Sequence, residues 1–446
     1  MVDTNTLRGP LLITYPDSLL IQKKKPLASL SQFLEKTKFS SIHLLPFQPY
    51  RCDDGFGITD YLRVRPELGT WKNIEAIGKK RIVVADLILN HCSLPNKQFR
   101  DEHLLSFTKK PSTTHVFRPR KTPLFVKKNN KFYWTTFSSQ QFDLNWKHPH
   151  VFTKFQHILD EFAQHSIKGF RLDAVGFTYK DLRTNCFCTK QSQKIAYAFT
   201  QYAQKTHGAS VIGEVNGTRE QIESFLPHCS FIYDFEFTSY LTYSFFYQES
   251  TWLYKKTYSS RYLYPASTHD GIPLIPLFQN NLGERFVRDV QKKGFYVSFM
   301  NKKKPYELNT TLVSLLGKKA TKAAHALAFF LPGVGATFIG NFLLQKNKPG
   351  FGRAIHRKKL TSYKVDSDMN TIVSESQNIS GSLKLIFVNK KLFVAKRGKY
   401  ICIINLSDHP VSYDVFGFDV LSKRHIRRLH VQAHEYLWLV KIRFKN

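Results

Sequence analysis

The 446-residue chain is predicted to be an α/β protein, a (β/α)8 TIM barrel with subdomains inserted after strands three and seven and an antiparallel β domain at the C-terminus. Two features support this fold class. Eight short, nearly continuous apolar segments alternate with amphipathic helical patterns, and such segments are typical of parallel strands buried on both faces. Polar motifs follow four of these segments, and barrel enzymes carry their active sites at this end of the strands.

The eight predicted strands follow one another along the first three quarters of the chain. They occupy residues 11–15, 42–47, 82–88, 170–175, 211–215, 231–235, 264–268 and 334–339. Phe155, Leu159 and Phe162 keep helical spacing before the fourth strand, as Ile195 and Phe199 do before the fifth. Strands and helices that alternate about eight times predict a closed barrel.

The spacing of the strands is uneven, which indicates insertions. The segment between the third and fourth strands is too long for one helix and its loops, and it contains Pro111, Pro119, Pro123 and Pro149. A shorter insertion follows the seventh strand. We therefore expect barrel residues at 1–91, 166–270 and 309–373 and inserted subdomains at 92–165 and 271–308.

The remaining residues, 374–446, are predicted to form a small β domain because their β-branched residues alternate with polar ones. Its expected strands are 383–388, 392–395, 400–405 and 436–440. Residues 362–382 show little periodicity, so the helix after strand eight is expected to be eroded. The basic segments 23–25, 302–304 and 423–428 are expected to be solvated loops.

The charge balance points to anionic partners. Lys and Arg number 66 against 33 Asp and Glu, which gives a formal net charge of +33. Such an excess favours phosphate, phosphorylated sugars, nucleic acid or an acidic surface as partners. The sequence has no helix-turn-helix, zinc-finger spacing or RNA-binding aromatic motif, so we expect no specific nucleic-acid partner.

Cysteine usage and hydrophobicity indicate the compartment. The six cysteines are scattered, and none forms a CxxC pair, so we expect reduced thiols and no zinc site. Residues 1–10 lack the apolar core of a signal peptide, and no apolar segment approaches the roughly 20 residues that span a bilayer. We therefore expect a cytoplasmic protein without a membrane partner.

Four polar motifs close predicted strands. Asp86-Leu-Ile-Leu-Asn90-His91 spans the end of the third strand, and Arg171 and Asp173 close the fourth. The fifth strand ends at Gly213-Glu214-Val215, and the seventh ends at Thr268-His269-Asp270-Gly271. Each motif alone is weak evidence. Their occurrence in this order, at the active-site end of one barrel, predicts a catalytic site.

These motifs give the chain a resemblance to a known family. It resembles the α-amylase superfamily, glycoside hydrolase family 13, and within it the sucrose phosphorylase-like subfamily of sucrose, sucrose 6-phosphate and glucosylglycerate phosphorylases. The similarity covers residues 11–357 and is looser beyond them. The matching pieces are Leu12-Ile-Thr-Tyr-Pro, Asp54-Gly-Phe56, Leu68-Gly-Thr-Trp71, Arg118-Pro-Arg120, Phe137-Ser-Ser-Gln-Gln141, Asp173-Ala-Val-Gly-Phe177, His269-Asp-Gly-Ile272, Tyr306-Glu-Leu-Asn309 and Gly352-Arg353.

The resemblance implies three catalytic residues. Asp173 would be the nucleophile, Glu214 the general acid/base, and Asp270 the stabiliser of the transition state. Two carboxylates that flank one glycosidic bond allow double displacement with retention of configuration. Arg171 lies two residues from Asp173 on the same strand, so both point to one side, and its charge is expected to keep Asp173 ionised.

The resemblance also implies a blind pocket for one glucosyl unit. Asp53 and Arg353 would form a pair that closes its bottom, and Phe56 and Phe137 would form its apolar walls. His91 and His269 would donate hydrogen bonds to hydroxyls of the sugar ring. Gln141 would be a polar neighbour.

The acceptor side is where phosphate would bind. By resemblance, Arg118 and Arg120 would face phosphate or the acceptor, and Tyr306 would contact it from a loop. Glu307 stands where sucrose phosphorylases carry Gln, and relatives with Glu act on anionic acceptors. Lys302–304 and Arg120 are positively charged. We therefore expect them to favour an anionic acceptor, such as fructose 6-phosphate or glycerate.

The sequence leaves two other functions open. The first is an α-glucosidase-type hydrolase of the same fold, and the second is a basic, polyanion-binding pseudoenzyme. The resemblance implies no metal and no cofactor, with inorganic phosphate as co-substrate. The expected partners are small sugars and phosphate, and the chain is expected to be a monomer or a homodimer.

Overall fold

Eight parallel strands close into a barrel in the computed structural model, which describes residues 7–21, 23–300 and 304–440. The first strand pairs with both the second and the eighth, through Leu11 with Ser41 and Leu11 with Ala336. All eight predicted strands are confirmed, with ends that differ by a few residues. Their bounds are Leu11–Thr14, Ser41–Leu44, Ile82–Ile88, Ile167–Asp173, Ser210–Gly213, Phe231–Tyr233, Tyr262–Pro265 and Val334–Phe338.

Helices surround the barrel and begin and end at recognisable signals. In Pro149–Gln164, proline occupies the first turn, and Phe155, Leu159 and Phe162 are buried on one face. Lys190–His207 begins at Thr189, whose side chain accepts the Ser192 N–H, and ends at left-handed Gly208. The other α-helices are Pro26–Glu35, Trp71–Gly78, Arg219–Ser224, Phe235–Tyr247, Thr251–Lys255, Ile275–Gln279, Gly283–Lys292, Leu312–Leu316, Lys318–Phe330, Ile339–Phe342 and Ser367–Ser376.

Three small sheets lie in the segments predicted as insertions. The first segment contains Ser106–Phe107, Phe125–Lys128 and Lys131–Trp134 in one sheet, with His91–Cys92 paired to Phe142–Asp143 in another. The second segment contains the third sheet, Ile272–Pro273, Tyr296–Phe299 and Pro305–Asn309. Lys302 and Lys303 lie outside the described residues, and Lys304 is exposed. The three sheets therefore stand over the catalytic end of the barrel, because the two segments continue from its third and seventh strands.

The C-terminal sheet has six antiparallel strands rather than the four expected. They are Leu383–Leu385, Leu392–Arg397, Tyr400–Asn405, Val411–Asp419, Arg424–Val431 and Tyr436–Val440. The prediction that 423–428 is a loop is wrong, since Arg424–Val431 is an edge strand. Its charged side chains are exposed, as is usual where an edge strand faces water, and they conceal the alternation.

The helix expected to be eroded is present as Ser367–Ser376, so that expectation is also wrong. The Asp366 side chain caps it by accepting the N–H groups of Asp368 and Met369. Only Met369, Ile372 and Val373 are buried, and this short apolar stripe explains the weak periodicity. None of the helices in the described part of the chain combines the length and apolar character that a bilayer span requires.

Candidate active site

The polar motifs of the sequence meet in one cavity at the carboxyl ends of the barrel strands. All the predicted site residues line it except Gln141 and Arg118. Those that line it are Asp53, Phe56, His91, Arg120, Phe137, Arg171, Asp173, Glu214, His269, Asp270, Tyr306, Glu307 and Arg353. The sequence analysis did not single out the other lining residues, which are Ala174, Gly176, Phe177, Phe187 and Asn216.

One guanidinium connects two of the carboxylates. Arg171 Nη1 donates to Asp173 Oδ1 at 2.8 Å, and Arg171 Nη2 lies 3.7 Å from Glu214 Oε2. Glu214 Oε2 also accepts the Ala174 N–H at 2.8 Å. Ala174 adopts a left-handed conformation with φ of 47° directly after the strand, and this turn aims its N–H at the next strand. The two carboxyl groups are therefore held next to each other, at the two terminal nitrogens of one guanidinium.

A buried charge network lies below Arg171. Asp86 pairs with Arg171 and also with His43, whose Nε2 lies 3.0 Å from Asp86 Oδ2. The side chains of Asp86, Arg171 and His43 are all almost completely buried. The sequence analysis missed His43. The one feature that could have indicated it is the presence of a polar residue within an apolar strand. Asp86 therefore contacts both Arg171 and His43 below the cavity.

Asp270 is held by two arginines. Arg353 Nη1 lies 2.7 Å from Asp270 Oδ1, and Arg357 Nη2 lies 3.3 Å from it. Arg353 also pairs with Glu307, with 2.7 Å between Nη2 and Oε1. The ion pairs of Arg353 are thus with Asp270 and Glu307, but Asp53 and Arg353 both line the cavity and the Arg353 charge helps to lower the pKa of Asp53 against burial. That these two residues close the bottom of a sugar pocket stays a prediction. Arg357 was missed because it lies beyond the motif Gly352-Arg353.

Asp53, His91 and Gln141 form a separate polar group beside Phe56. The Gln141 amide nitrogen lies 3.2 Å from Asp53 Oδ2 and 2.9 Å from His91 Nε2. His91 Nε2 is also 3.1 Å from the Phe56 carbonyl oxygen. Phe56 stacks on His269 with ring centroids 5.3 Å apart, and Phe137 is 5.3 Å from His91. Aromatic faces next to polar groups match the two sides of a sugar ring.

The two arginines of Arg118-Pro-Arg120 point to different places. Arg120 lines the cavity, and its guanidinium lies 5.7 Å from the centroid of Tyr306. Arg118 donates to the Thr122 carbonyl oxygen and lines a neighbouring groove with Phe117 and Lys304. Phe117 stacks on Phe187, which lines the cavity, so aromatic rings separate the two spaces. The structure therefore brings Arg120, but not Arg118, to the carboxylates.

The surroundings shift the pKa values of the carboxyl groups in different directions. Burial raises the pKa of Asp173, and although Arg171 lowers it, burial outweighs this charge. Burial also raises the pKa of Glu214, with Arg171 again opposing. For Asp270 the result is reversed, because Arg353, His269 and Arg357 together lower its pKa against the effect of burial. Unequal carboxyl groups in one site are typical of acid/base chemistry.

Among the described residues, His103, His148 and His150 form a cluster with the spacing of metal ligands. It lies away from the cavity, and two of its rings cap the backbone. His103 Nδ1 accepts the Arg100 N–H at 3.1 Å, and His148 Nδ1 accepts the His150 N–H at 3.3 Å. A neutral imidazole that accepts at Nδ1 carries its proton at Nε2, so these two rings fit a capping role better than metal binding.

The closed barrel and the buried carboxylates at its catalytic end are typical of barrel enzymes that act on glycosidic bonds. The model of the alpha-amylase catalytic domain matches residues 27–258, and the chain belongs to this family. The resemblance inferred from the motifs is thereby confirmed.

Curated relatives are similar over most of their length. A glucosylglycerate phosphorylase of Spirochaeta thermophila is 29% identical, over 79% of this chain and 68% of the relative. A sucrose phosphorylase of Agrobacterium vitis is 27% identical, over 80% of this chain and 83% of the relative. A crystal structure of sucrose 6F-phosphate phosphorylase from Thermoanaerobacter thermosaccharolyticum has the same fold. It matches with a TM-score of 0.84 at 22% identity, covering 96% of this chain and 99% of that one.

Proposed function

We propose that this enzyme is a retaining glycoside phosphorylase that moves a glucosyl unit between an α-glucoside and inorganic phosphate. The observation that carries the proposal is that Asp173 and Glu214 lie at the two terminal nitrogens of Arg171 in one cavity. The relatives named as glucosylglycerate and sucrose phosphorylases support phosphorolysis over hydrolysis. Inorganic phosphate is the proposed co-substrate, and no resident metal or cofactor takes part.

In the first step, an Asp173 carboxylate oxygen attacks the anomeric carbon. The bond to the leaving oxygen breaks, and Glu214 gives that oxygen its proton. The product of this step is a glucosyl ester of Asp173. In the second step, a phosphate oxygen attacks the same carbon from the side of the departed group, and Glu214 takes the phosphate proton. The ester bond to Asp173 breaks and returns its carboxylate. Two inversions return the α configuration and release α-glucose 1-phosphate.

Asp270 stabilises the positive charge that develops on the sugar ring in both steps. Arg353 and Arg357 keep it ionised, so its carboxylate is available without first losing a proton. Asp53, His91 and His269 are proposed to hold the ring hydroxyls, with Gln141 orienting the first two. Phe56 and Phe137 are proposed to cover the apolar face of the ring.

Phosphate must compete with water for the glucosyl ester, and Arg120 is the proposed reason that it succeeds. Arg353 and Arg171 are occupied by carboxylates. Arg120 forms no ion pair among the described residues, although its charge helps to lower the pKa of Asp53, so its guanidinium is proposed to bind an anion. The same charge favours an anionic acceptor, fructose 6-phosphate or glycerate, in the reverse direction. We place the reaction in cytoplasmic carbohydrate metabolism.

The decisive experiment measures phosphate release from α-glucose 1-phosphate with fructose, fructose 6-phosphate, glycerate, glycerol or water alone. We expect release that depends on one acceptor and that Asp173→Asn lowers by about 10⁴-fold or more. Release with water alone would identify a hydrolase. Release with none of these would exclude α-glucose 1-phosphate as donor and favour a binding protein without catalysis.

Arg120 and Arg118 provide a matched pair for the phosphate site. We expect Arg120→Gln to raise the KM for phosphate by roughly 10- to 100-fold, the loss of one charge-assisted contact. Arg118→Gln removes the same charge two residues away and should leave this KM within about twofold. Equal effects of both variants would contradict the assignment and indicate a general effect of surface charge.

A further inference from the structure

A buried lysine lies behind one wall of the catalytic cavity. The Lys180 side chain is only 3% exposed, and its Nζ lies 2.7 Å from Asp143 Oδ2 and 2.7 Å from Asn90 Oδ1. It also donates to the carbonyl oxygen of Phe177, a residue that lines the cavity. Asn90 follows the third strand, Asp143 lies in the first inserted segment, and Phe177 follows the fourth strand. Lys180 and these three partners form a lysine clamp, in which one ammonium group joins three separate segments.

Two of the clamped segments carry a further residue of the cavity wall. Asn90 precedes His91, and its Nδ2 lies 3.3 Å from His91 Nδ1. Asp143 accepts hydrogen bonds from the Thr136 N–H at 2.9 Å and from the Thr136 hydroxyl at 2.6 Å, and Thr136 precedes Phe137. Asn90 and Asp143 also bond each other, with 3.1 Å between Nδ2 and Oδ2. The clamp is therefore one residue away from both His91 and Phe137.

The clamp does not include the catalytic carboxylates. Arg171 holds Asp173 and Glu214, and among the described residues Lys180 forms an ion pair with Asp143 only. A buried ion pair is weak evidence for stability, because the cost of desolvation offsets the attraction. The location of this pair, directly behind the residues of one wall, favours a role in placing that wall.

We propose that Lys180 is a positioning residue for the wall formed by His91, Phe137 and Phe177. Its ammonium group fixes the three segments relative to one another, and the segments hold the wall against the sugar ring. Small displacements of groups that position a substrate are costly to catalysis. The contact of this wall with a glucosyl unit rests on the proposed function, whereas the fixing of the segments does not.

The first readout needs no turnover. Hydrogen exchange of the Thr136 and Leu144 amides reports on the clamp, since these amides donate to two partners of Lys180. Thr136 donates to the Asp143 carboxylate, and Leu144 donates to the Asn90 carbonyl oxygen at 2.9 Å. In Lys180→Met we expect both amides to exchange about tenfold faster than in the wild type, because the segments open locally.

Lys256→Met is the matched control for this variant. Lys256 is an equally buried ammonium group, 2.8 Å from Asp234 and 2.8 Å from Glu236, and none of these three residues lines the cavity. Its loss should leave the two amides unchanged. Removal of one partner from a buried ion pair is strongly destabilising, so Lys180→Met/Asp143→Asn, which leaves no uncompensated charge, is measured as well.

The second readout is kinetic and uses the neutral donor p-nitrophenyl α-glucoside with saturating phosphate. We expect Lys180→Met to raise KM about tenfold and to leave kcat within about twofold, because the wall binds the sugar ring equally in the ground and transition states. Lys256→Met should retain both constants. A purely structural role of Lys180 would lower the fraction of folded enzyme, and therefore kcat, without changing KM.

The outcomes separate the clamp from the proposed function. Unchanged exchange in both Lys180 variants would overturn the clamp, as would equal acceleration in Lys256→Met. Faster exchange with an unchanged KM would overturn the role in substrate positioning. If the wild-type enzyme does not act on α-glucosides, the proposed function fails, while hydrogen exchange still decides whether Lys180 fixes the wall.

Discussion

Asp173, Glu214 and Asp270 share one cavity, yet their neighbours give them different properties. Arg171 is shared by Asp86, Asp173 and Glu214, so its single charge does not offset the burial of all three. Asp270 contacts two guanidinium groups, those of Arg353 and Arg357, and its pKa is lowered even though Arg353 also pairs with Glu307 and Arg357 with Asp54. The proposed division of roles therefore follows from how many guanidinium groups each carboxylate contacts and how far these are shared.

These shifts predict the pH dependence of the first chemical step. As the proposed nucleophile, Asp173 must be ionised, so activity is expected to be lost as pH falls through its raised pKa. As the proposed acid, Glu214 must be protonated, so activity is expected to be lost as pH rises through its raised pKa. We expect kcat/KM for the neutral donor p-nitrophenyl α-glucoside to be bell-shaped, with an acid limb above the ordinary aspartate pKa of about 3.9.

Asp270 should contribute no limb in this range, because its pKa is lowered. The neutral donor serves as the control, since it does not titrate between pH 3 and 7 and any limb there belongs to the enzyme. An acid limb at or below pH 3.9 would contradict the effect of burial on Asp173.

At the scale of elements, the eighth strand packs against the helix before it so closely that no side chain fits at Gly335. A Cβ on Gly335 would lie 2.9 Å from the Cα of Phe329 and would meet the Phe329 ring. The helix Lys318–Phe330 is buried along most of its length, so it cannot move outward freely. This close contact places the end of the eighth strand beside the first and closes the barrel.

We expect Gly335→Ala to destabilise the protein by about 1–3 kcal/mol through overpacking. Gly340→Ala is the matched control, since its nearest neighbours would lie at 3.5 Å, an ordinary contact distance. The free energy of unfolding from urea titration measures both. Similar values for the two variants would show that the helix shifts without strain.

At the scale of the whole molecule, the C-terminal sheet and the barrel share one hydrophobic core. Phe393, Cys402 and Trp438 of the sheet belong to the same buried cluster as the barrel strands. The Tyr254 hydroxyl joins the two parts, since it accepts the Val394 N–H at 2.7 Å and lies 2.9 Å from the Ile386 carbonyl oxygen. The two parts are therefore expected to unfold together.

We expect a single transition in urea, coincident by circular dichroism and by tryptophan fluorescence. Tyr254→Phe should shift the midpoints of both transitions to lower urea concentration by the same amount. The variant leaves the Val394 N–H without its acceptor, which should lower the free energy of unfolding by about 1–3 kcal/mol. Tyr202→Phe is the control, because this hydroxyl bonds the partly exposed Asp160. Two separate transitions would show that the sheet and the barrel are independent units.

Much of this architecture was predictable because the signals are local. Strands buried on both faces are continuous apolar segments, so all eight barrel strands could be predicted. Two strands of the C-terminal sheet could not be predicted, because they are not continuous apolar segments. One face of Val411–Asp419 and the edge strand Arg424–Val431 are exposed and polar. The helix Ser367–Ser376 buries too few residues to show a period.

The amino-acid sequence alone determined the barrel, the order of its strands and the carboxylates at their ends, because parallel strands bring consecutive motifs to one edge. It did not determine which charges pair. Arg353 forms ion pairs with Asp270 and Glu307 rather than Asp53, Arg118 lines a different groove from Arg120, and Arg357 pairs with both Asp54 and Asp270. These choices depend on the paths of loops that are distant in sequence, and ion pairs form between whichever charges those paths bring within about 4 Å.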